Sequence, residues 1–362
     1  MNYAVIMAGG TGKRLWPLSR QKRPKQVLKL LDGRTLLERC FERIGSLFDL
    51  RNIVVLTNAD YVDVVREDLP GLPSGNVIAE PEVRDTAGAI GLAAAVLCKS
   101  DPTATMAVVT ADQLLEPATV LQEALRDAFS FVAAHPDALI TFGIPPTFPS
   151  TQFGYIKCGD PCACEVCKNA VYSVAAFKEK PDLATAQDYV ADGRYFWNSG
   201  MFVWKAGTIL KNLTDFVPET AEPLRRIAAA WDTPDQQAVL SEQFGRLPKI
   251  SIDYAVMERA KQVCTIRLDC RWLDLGSFAA LADIVESDAH GNVVVAGASE
   301  LLDCSGSVVV TEDKGHLIAA IGLDGIVVAH SPDATLVCRA DQTDRLKELL
   351  GRLEQHGRNE FL

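Results

Sequence analysis

Short apolar runs alternate with helix-periodic stretches through the first two-thirds of the chain. Residues 3–8 are an apolar run ended by Gly9-Gly10. Thr35 and Glu38 form a capping-box pair, and behind them Leu37, Cys40, Phe41, Ile44 and Phe48 recur at helical spacing. Residues 53–56, 106–110 and 138–142 read as buried strands, and residues 86–98 and 117–134 as helices. Short buried strands between helices predict a mostly parallel sheet covered on both faces. Residues 154–177 read as a β-hairpin. From about residue 287 the helices stop. Residues 292–296, 307–310, 316–321, 326–329 and 335–338 read as short strands between Gly, Asp and Ser turns. Residues 341–356 close the chain as a helix with Leu346, Leu349, Leu350 and Leu353 on one face. The pattern therefore predicts two domains, residues 1–286 and 287–362.

Composition narrows the class. The 362 residues are 48% hydrophobic and 23% charged, with a formal charge of −11. These values exclude a disordered chain and argue against nucleic acid as a partner, while a local basic pocket for a small phosphate ligand stays open. No apolar run approaches the ~20 residues of a membrane helix, so no membrane partner is expected. The start of the chain does not read as a signal peptide, and a cytoplasmic location with reduced thiols is expected. Of the ten cysteines, Cys158, Cys162, Cys164 and Cys167 are closely spaced. Four thiols there could hold Zn²⁺, but the spacing is not that of a zinc ribbon, and the preferred reading is a reduced cluster in a hairpin loop.

The first strand runs directly into Ala8-Gly9-Gly10-Thr11-Gly12-Lys13-Arg14-Leu15. Three glycines let backbone N–H groups approach a polyanion, and Lys13 and Arg14 add charged donors. A P-loop needs Ser or Thr where Arg14 stands, and a dinucleotide fingerprint needs Gly or Ala where Leu15 stands. Asp112 follows a predicted central strand, where open α/β sheets bind ligands, and its carboxylate suits Mg²⁺; the alternative is a helix cap. Asp274 is a candidate second ligand, or a turn residue. Lys180 precedes Pro181, which predicts an extended backbone from which it can reach a phosphate. Glu179 and Asn198 can bind hydroxyls. Each of these three also has a bland reading, as a solvated charge run or an Asx turn.

The longer string Gly9-Gly10-Thr11-Gly12-Lys13-Arg14-Leu15-Trp16-Pro17-Leu18-Ser19-Arg20, followed by Arg23-Pro24-Lys25-Gln26, resembles the signature of the nucleotide-sugar pyrophosphorylases, in the form found in mannose-1-phosphate guanylyltransferases. Further stretches at residues 79–90, 108–112, 142–156, 177–182, 197–202, 251–258 and 272–278 carry the same resemblance. It implies a Rossmann-like, GT-A-like nucleotidyltransferase fold on a mixed, mostly parallel sheet, plus a small C-terminal domain resembling a left-handed β-helix. It implies GTP and α-D-mannose 1-phosphate as substrates, GDP-mannose and pyrophosphate as products, and Mg²⁺ as cofactor. Ala8, Gly9, Gly10, Thr11 and Gly12 would cradle the triphosphate, with Arg14, Lys25 and Lys13 catalytic. Glu80, Arg84, Asp85, Thr86 and Gly88 would line the base. Gly154, Glu179, Lys180, Asn198 and Asp253 would bind the sugar phosphate, and Asp112 and Asp274 the metal. The family usually has His where Gln113 stands, and Asn and Pro where Asp85 and Gly88 stand. A related pyrophosphorylase with another nucleotide or hexose, a non-catalytic nucleotide-sugar sensor, and a homodimeric assembly all stay open.

Overall fold

A computed structural model describes residues 1–10, 12–295, 297–313 and 315–362. Thr11, assigned above to the nucleotide, lies outside them. The chain opens with β1 (Asn2–Met7), whose side chains enter two separate buried clusters: Ala4 and Ile6 one, Tyr3 and Val5 the other. That alternation marks a strand covered on both faces. Helix α1 (Leu36–Gly45) begins at the predicted capping box. The Thr35 hydroxyl accepts from the Glu38 N–H at 2.9 Å, and the Glu38 carboxylate accepts from the Thr35 N–H at 2.7 Å. Next come β2 (Ile53–Asn58), α2 (Val62–Asp68), β3 (Val77–Glu80), α3 (Asp85–Ser100) and β4 (Thr105–Thr110). Helix α3 is buried along most of its length, which its Ala and Gly residues permit.

A short β5 (Gln113–Glu116) precedes α4 (Ala118–Ala134) and β6 (Leu139–Ile144). The predicted hairpin is β7 (Tyr155–Cys162) with β8 (Val171–Lys178). After α5 (Leu183–Asp192), β9 (Tyr195–Lys205), α6 (Ala206–Phe216), α7 (Ala221–Ala230) and α8 (Gln236–Phe244), the chain returns through β10 (Val263–Arg267) and β11 (Arg271–Asp274). Nine strands form one sheet in the order β3-β2-β1-β4-β9-β6-β10-β8-β7. The half around β1 is parallel, and β9 enters antiparallel between β4 and β6. Strands β5 and β11 pair separately as an antiparallel ribbon.

Beyond α9 (Phe278–Ala282) lie β12 (Val293–Val295), β13 (Ala298–Leu302), β14 (Val308–Thr311), β15 (Leu317–Ile321), β16 (Ile326–Ser331) and β17 (Ala334–Arg339). Strands β12, β14 and β16 stack in parallel, β13 and β15 do the same, and β17 closes the stack antiparallel on β16. Successive turns thus repeat one coil, as in a β-helix. The sequence pattern misses β13, because Ala-Ser-Glu has weak strand preference and the strand is held by its pairing with β15. The closing helix is also shorter than expected. Residues Ala340–Arg345 form a 3₁₀ turn, α10 (Leu346–Gln355) follows, and Leu349 faces solvent while Leu346 and Leu350 are buried. Among the described residues, no helix is long and apolar enough to cross a membrane.

Candidate active site

The glycine loop leaves β1 at the C-terminal edge of the parallel strands. Gly12 adopts φ +65°, and a Cβ there would lie 2.6 Å from the Lys25 Cβ, so only glycine lets the two segments touch. Lys25 sits in a 3₁₀ turn with its side chain buried. Its Nζ donates to the Asp112 carboxylate at 2.7 Å and lies 3.4 Å from an Asp274 oxygen. Burial alone would lower the Lys25 pKa, but the two carboxylates outweigh it and the pKa is raised. Burial raises the Asp274 carboxyl against the pull of Lys25, and the neighbouring Asp112 raises it further. Asp112 follows β4, whereas Asp274 ends β11. The β5–β11 ribbon, with Asp274 opposite Gln113 and the Leu275 N–H donating to the Asp112 carbonyl, brings the two acids together.

Two cavities meet at this pair. One, of about 300 Å³, is lined by Gly9, Gly10, Gln26, Glu80, Asp85 and Asp112 among others. The second, of about 280 Å³, is lined by Gly10, Gly12, Lys13, Arg14, Lys25, Asp112, Asp274, Gly276 and Lys347. Gly10 and Asp112 are common to both. In the first, burial pushes the Glu80 carboxyl up to about 7. The Gln26 Oε1 and Thr110 Oγ1 in its wall have no hydrogen-bond partner among the described residues. Buried orphans on residues that line a cavity are suited to polar groups of a ligand.

The predicted sugar residues also assemble. A bulge shifts the β6–β9 register between Thr141 and Gly143, beside Asn198. The Asn198 Oδ1 accepts from the Thr141 hydroxyl at 3.0 Å and from the Gly200 N–H at 3.2 Å, while its Nδ2 donates to Asp253 at 2.9 Å. Burial, reinforced by Glu179, pushes the Asp253 carboxyl up to about 7. Glu179 pairs with Lys180, and a Cβ on Gly154 would lie 2.4 Å from a Glu179 oxygen. Lys180 is not extended as its place before proline suggests. It has φ +43°, which turns its ammonium back onto Glu179. A Cβ at Gly200 would sit 3.8 Å from Thr110 Cγ2, so this cluster adjoins the first cavity.

Residues 3–291 match the nucleotidyl transferase family model, and residues 297–353 match the MannoseP isomerase/GMP-like beta-helix domain. The mannose-1-phosphate guanylyltransferase of Klebsiella pneumoniae is 36% identical over 360 residues, 99% of this chain and 75% of that protein. That of Escherichia coli K12 is 36% identical, covering 99% of this chain and 74% of that protein. The chain belongs to the mannose-1-phosphate guanylyltransferase family. A crystal structure of mannose-1-phosphate geranyltransferase from Thermus thermophilus superposes with a TM-score of 0.85 at 35% identity, covering 98% of this chain and 99% of that one.

Within this family frame, some expected site residues lie elsewhere. Arg84 and Gly88 are outside the lining of both cavities. The Arg84 guanidinium donates to the Leu247 carbonyl and pairs with Glu82, and Gly88 lets α3 close on Arg84, Phe244 and Leu247. Ala8 is buried, its backbone bonded to Leu56 and Thr57. Thr86 lines the first cavity, but its hydroxyl accepts from the Ile252 N–H. Gln26, Asn58, Thr110, Gly276 and Lys347 line the cavities without having been singled out. Gln26, Thr110 and Gly276 stood inside stretches that carry the resemblance, whereas Asn58 and Lys347 stood in none. The Trp16-to-Arg20 half of the signature faces the C-terminal domain: the Trp16 indole N–H donates to the Phe361 carbonyl at 2.6 Å, and Arg20 binds Phe361, Ser331 and Asp333.

The four-thiol zinc site does not form. Cys164 and Cys167, with Cα atoms 5.4 Å apart, are joined as a disulfide, contrary to the expectation of reduced thiols. Their tight turn holds the pair within disulfide reach. The Cys162 sulfur lies instead 3.9 Å from that of Cys264 on β10. Among the described residues, no group of three or more His, Cys, Asp or Glu side chains is placed to hold a metal.

Proposed function

We propose that the chain transfers guanylyl from GTP to α-D-mannose 1-phosphate, giving GDP-mannose and pyrophosphate. The observation that carries the assignment of the site is the meeting of Lys25 with Asp274, 249 residues apart in sequence, and with Asp112, where the two cavities join. A phosphate oxygen of the sugar forms a bond to the α-phosphorus of GTP. The bond from that phosphorus to the bridging oxygen of the β-phosphate breaks, and pyrophosphate leaves with the electron pair. The nucleophile is already ionised at neutral pH, so no general base is needed. Catalysis then reduces to positioning two anions and stabilising charge on the transferred phosphorus and leaving group.

The cavity with Glu80, Asp85 and Gln26 takes the base and ribose, and the orphan Gln26 and Thr110 oxygens find donors there. The junction at Gly10 and Asp112 takes the α-phosphate, with Lys25 as its cation. Gly12, Lys13 and Arg14 hold the phosphates beyond it, while Gly9 lines the approach to the junction from the first cavity. Lys180 binds the sugar phosphate, Glu179 and Asn198 hold mannose hydroxyls, and Asp253 fixes the Asn198 amide so that its orientation is set before substrate arrives. The Asp112 and Asp274 oxygens gathered on one ammonium are a donor set that fits a hard divalent cation such as Mg²⁺. Such an ion, held by those two residues, would neutralise phosphate charge around the reacting centre. Residues 1–286 serve as the catalytic unit and 287–362 as the β-rich unit closed against it.

The test is a panel of nucleoside triphosphates and hexose 1-phosphates assayed for pyrophosphate release with and without Mg²⁺. GTP with mannose 1-phosphate should give the highest kcat/KM, and chelation should abolish turnover. A different preferred pair, or no turnover with any, would refute the assignment.

A further inference from the structure

Lys347 belongs to α10, in the C-terminal unit, yet it lines the cavity shared by Gly12, Lys13, Arg14 and Asp274. The reason is the docking of α10 on the glycine loop. Leu346 and Leu350 share one buried cluster with Leu15 and Trp16, which directs the intervening exposed face, including Lys347, along the loop. Lys347 and Lys13 also line a neighbouring cavity of about 320 Å³ between the loop and α10. Among the described residues, none of Lys13, Arg14 and Lys347 is in an ion pair. Lys25, by contrast, is ion-paired with Asp112 and Asp274. Arg14 is drawn to the nearby Asp274, but with Lys25 already set against Asp112 and Asp274 the cavity wall stays net positive, which suits an anionic ligand.

We propose that Lys347 is a ligand of the β- and γ-phosphates of GTP, and of pyrophosphate in the reverse reaction, so that the C-terminal unit completes the catalytic cleft. The inference rests on the guanylyl-transfer reading. The position follows from the order of the cavities. The first holds Glu80 and Asp85 and takes the base, the junction at Gly10 and Asp112 takes the α-phosphate, and the Lys347 cavity is what remains for the distal phosphates. The sugar cluster adjoins Thr110 in the first cavity, and none of Gly154, Glu179, Lys180, Asn198 and Asp253 lines the Lys347 cavity.

The test is steady-state kinetics in both directions on Lys347→Ala and Lys347→Arg. The exposed position predicts melting temperatures equal to that of the parent protein. Lys347→Ala should raise KM for GTP and for pyrophosphate by about tenfold, the equivalent of one lost charged contact. KM for mannose 1-phosphate should stay within about twofold, and Lys347→Arg should restore most of the loss. Unchanged KM values for GTP and pyrophosphate, or an equal change for all substrates, would overturn the proposal in an enzyme that still makes GDP-mannose. A parent protein that makes no GDP-mannose would instead overturn the reading beneath it.

Discussion

Glu80 shows how burial alone can prepare a side chain. It is buried at the end of β3, and desolvation holds its carboxyl at about 7 against an ordinary 4.5. The native state therefore binds this proton more tightly than the unfolded chain. The resulting stabilisation is complete below pH 4.5 and is lost as pH rises through 7. A shift of this size corresponds to roughly 3 kcal/mol. Denaturant melts of the parent and Glu80→Gln from about pH 4.5 to about pH 8 should show the parent losing that increment relative to the variant. Parallel pH curves would mean that Glu80 keeps its ordinary pKa in the folded protein. Lys25 is the opposite case. Its buried ammonium keeps its charge because two carboxylates face it, which leaves it a cation ready for a phosphate.

The β5–β11 ribbon decides whether Asp112 and Asp274 form a pair. Gln113 opens β5 and is its central tie. Its Nε2 donates to the Ser199 carbonyl at 2.7 Å, its Oε1 accepts from the Trp272 indole at 2.9 Å, and its own carbonyl accepts from Arg43 at 3.1 Å. One side chain thus joins β5 to β9 and to β11. Gln113→Leu would leave the Ser199 carbonyl and the Trp272 N–H buried without partners. That should cost about 2–4 kcal/mol of unfolding free energy. It should also lower kcat/KM by roughly tenfold or more, since small displacements of positioned groups are expensive in rate. Normal activity with reduced stability would confine Gln113 to a structural part. The family's usual His has a ring in place of this amide, and the Gln113 amide meets both partners with one donor and one acceptor.

The C-terminal coils and the glycine loop share a core that includes Leu15, Trp16, Leu28, Phe278, Val310 and Leu346. Polar contacts reinforce the seam. Arg20 reaches Asp333 at 2.5 Å and Ser331 at 2.9 Å and binds the Phe361 carbonyl, Trp16 donates to the same carbonyl, and Arg23 pairs with Glu312 at 2.5 Å. The docked unit therefore holds the loop that carries Lys13 and Arg14. Arg20→Ala should destabilise the seam by about 1–3 kcal/mol and speed amide hydrogen exchange across residues 331–362 and the 12–20 loop together. Faster exchange in only one of the two segments would show that they are not coupled.

Local regularities were legible in the chain alone. The capping box at Thr35, the buried strands around β1, the hairpin at 154–177 and the coil of short strands each depend on neighbours within a few residues. The signature at 9–26 and the acids at 112 and 274 were readable as candidates through their resemblance to the pyrophosphorylase signature, since spacing alone left a tight turn, a helix cap and a surface turn open. What the sequence left open concerns groups that meet across long loops. The convergence of Asp112 and Asp274 on Lys25 depends on the β5–β11 ribbon. The strand β13 needed its partner to exist. The division of the signature into a ligand-facing glycine half and a Trp16-to-Arg20 half that docks the C-terminal unit, the turning of Arg84 away from the cleft, and the arrival of Lys347 are also products of packing. Side-chain type and local spacing determine which chemistry a chain can offer, but which charges end up unpaired in one cavity is set by the burial of apolar faces far from them in sequence.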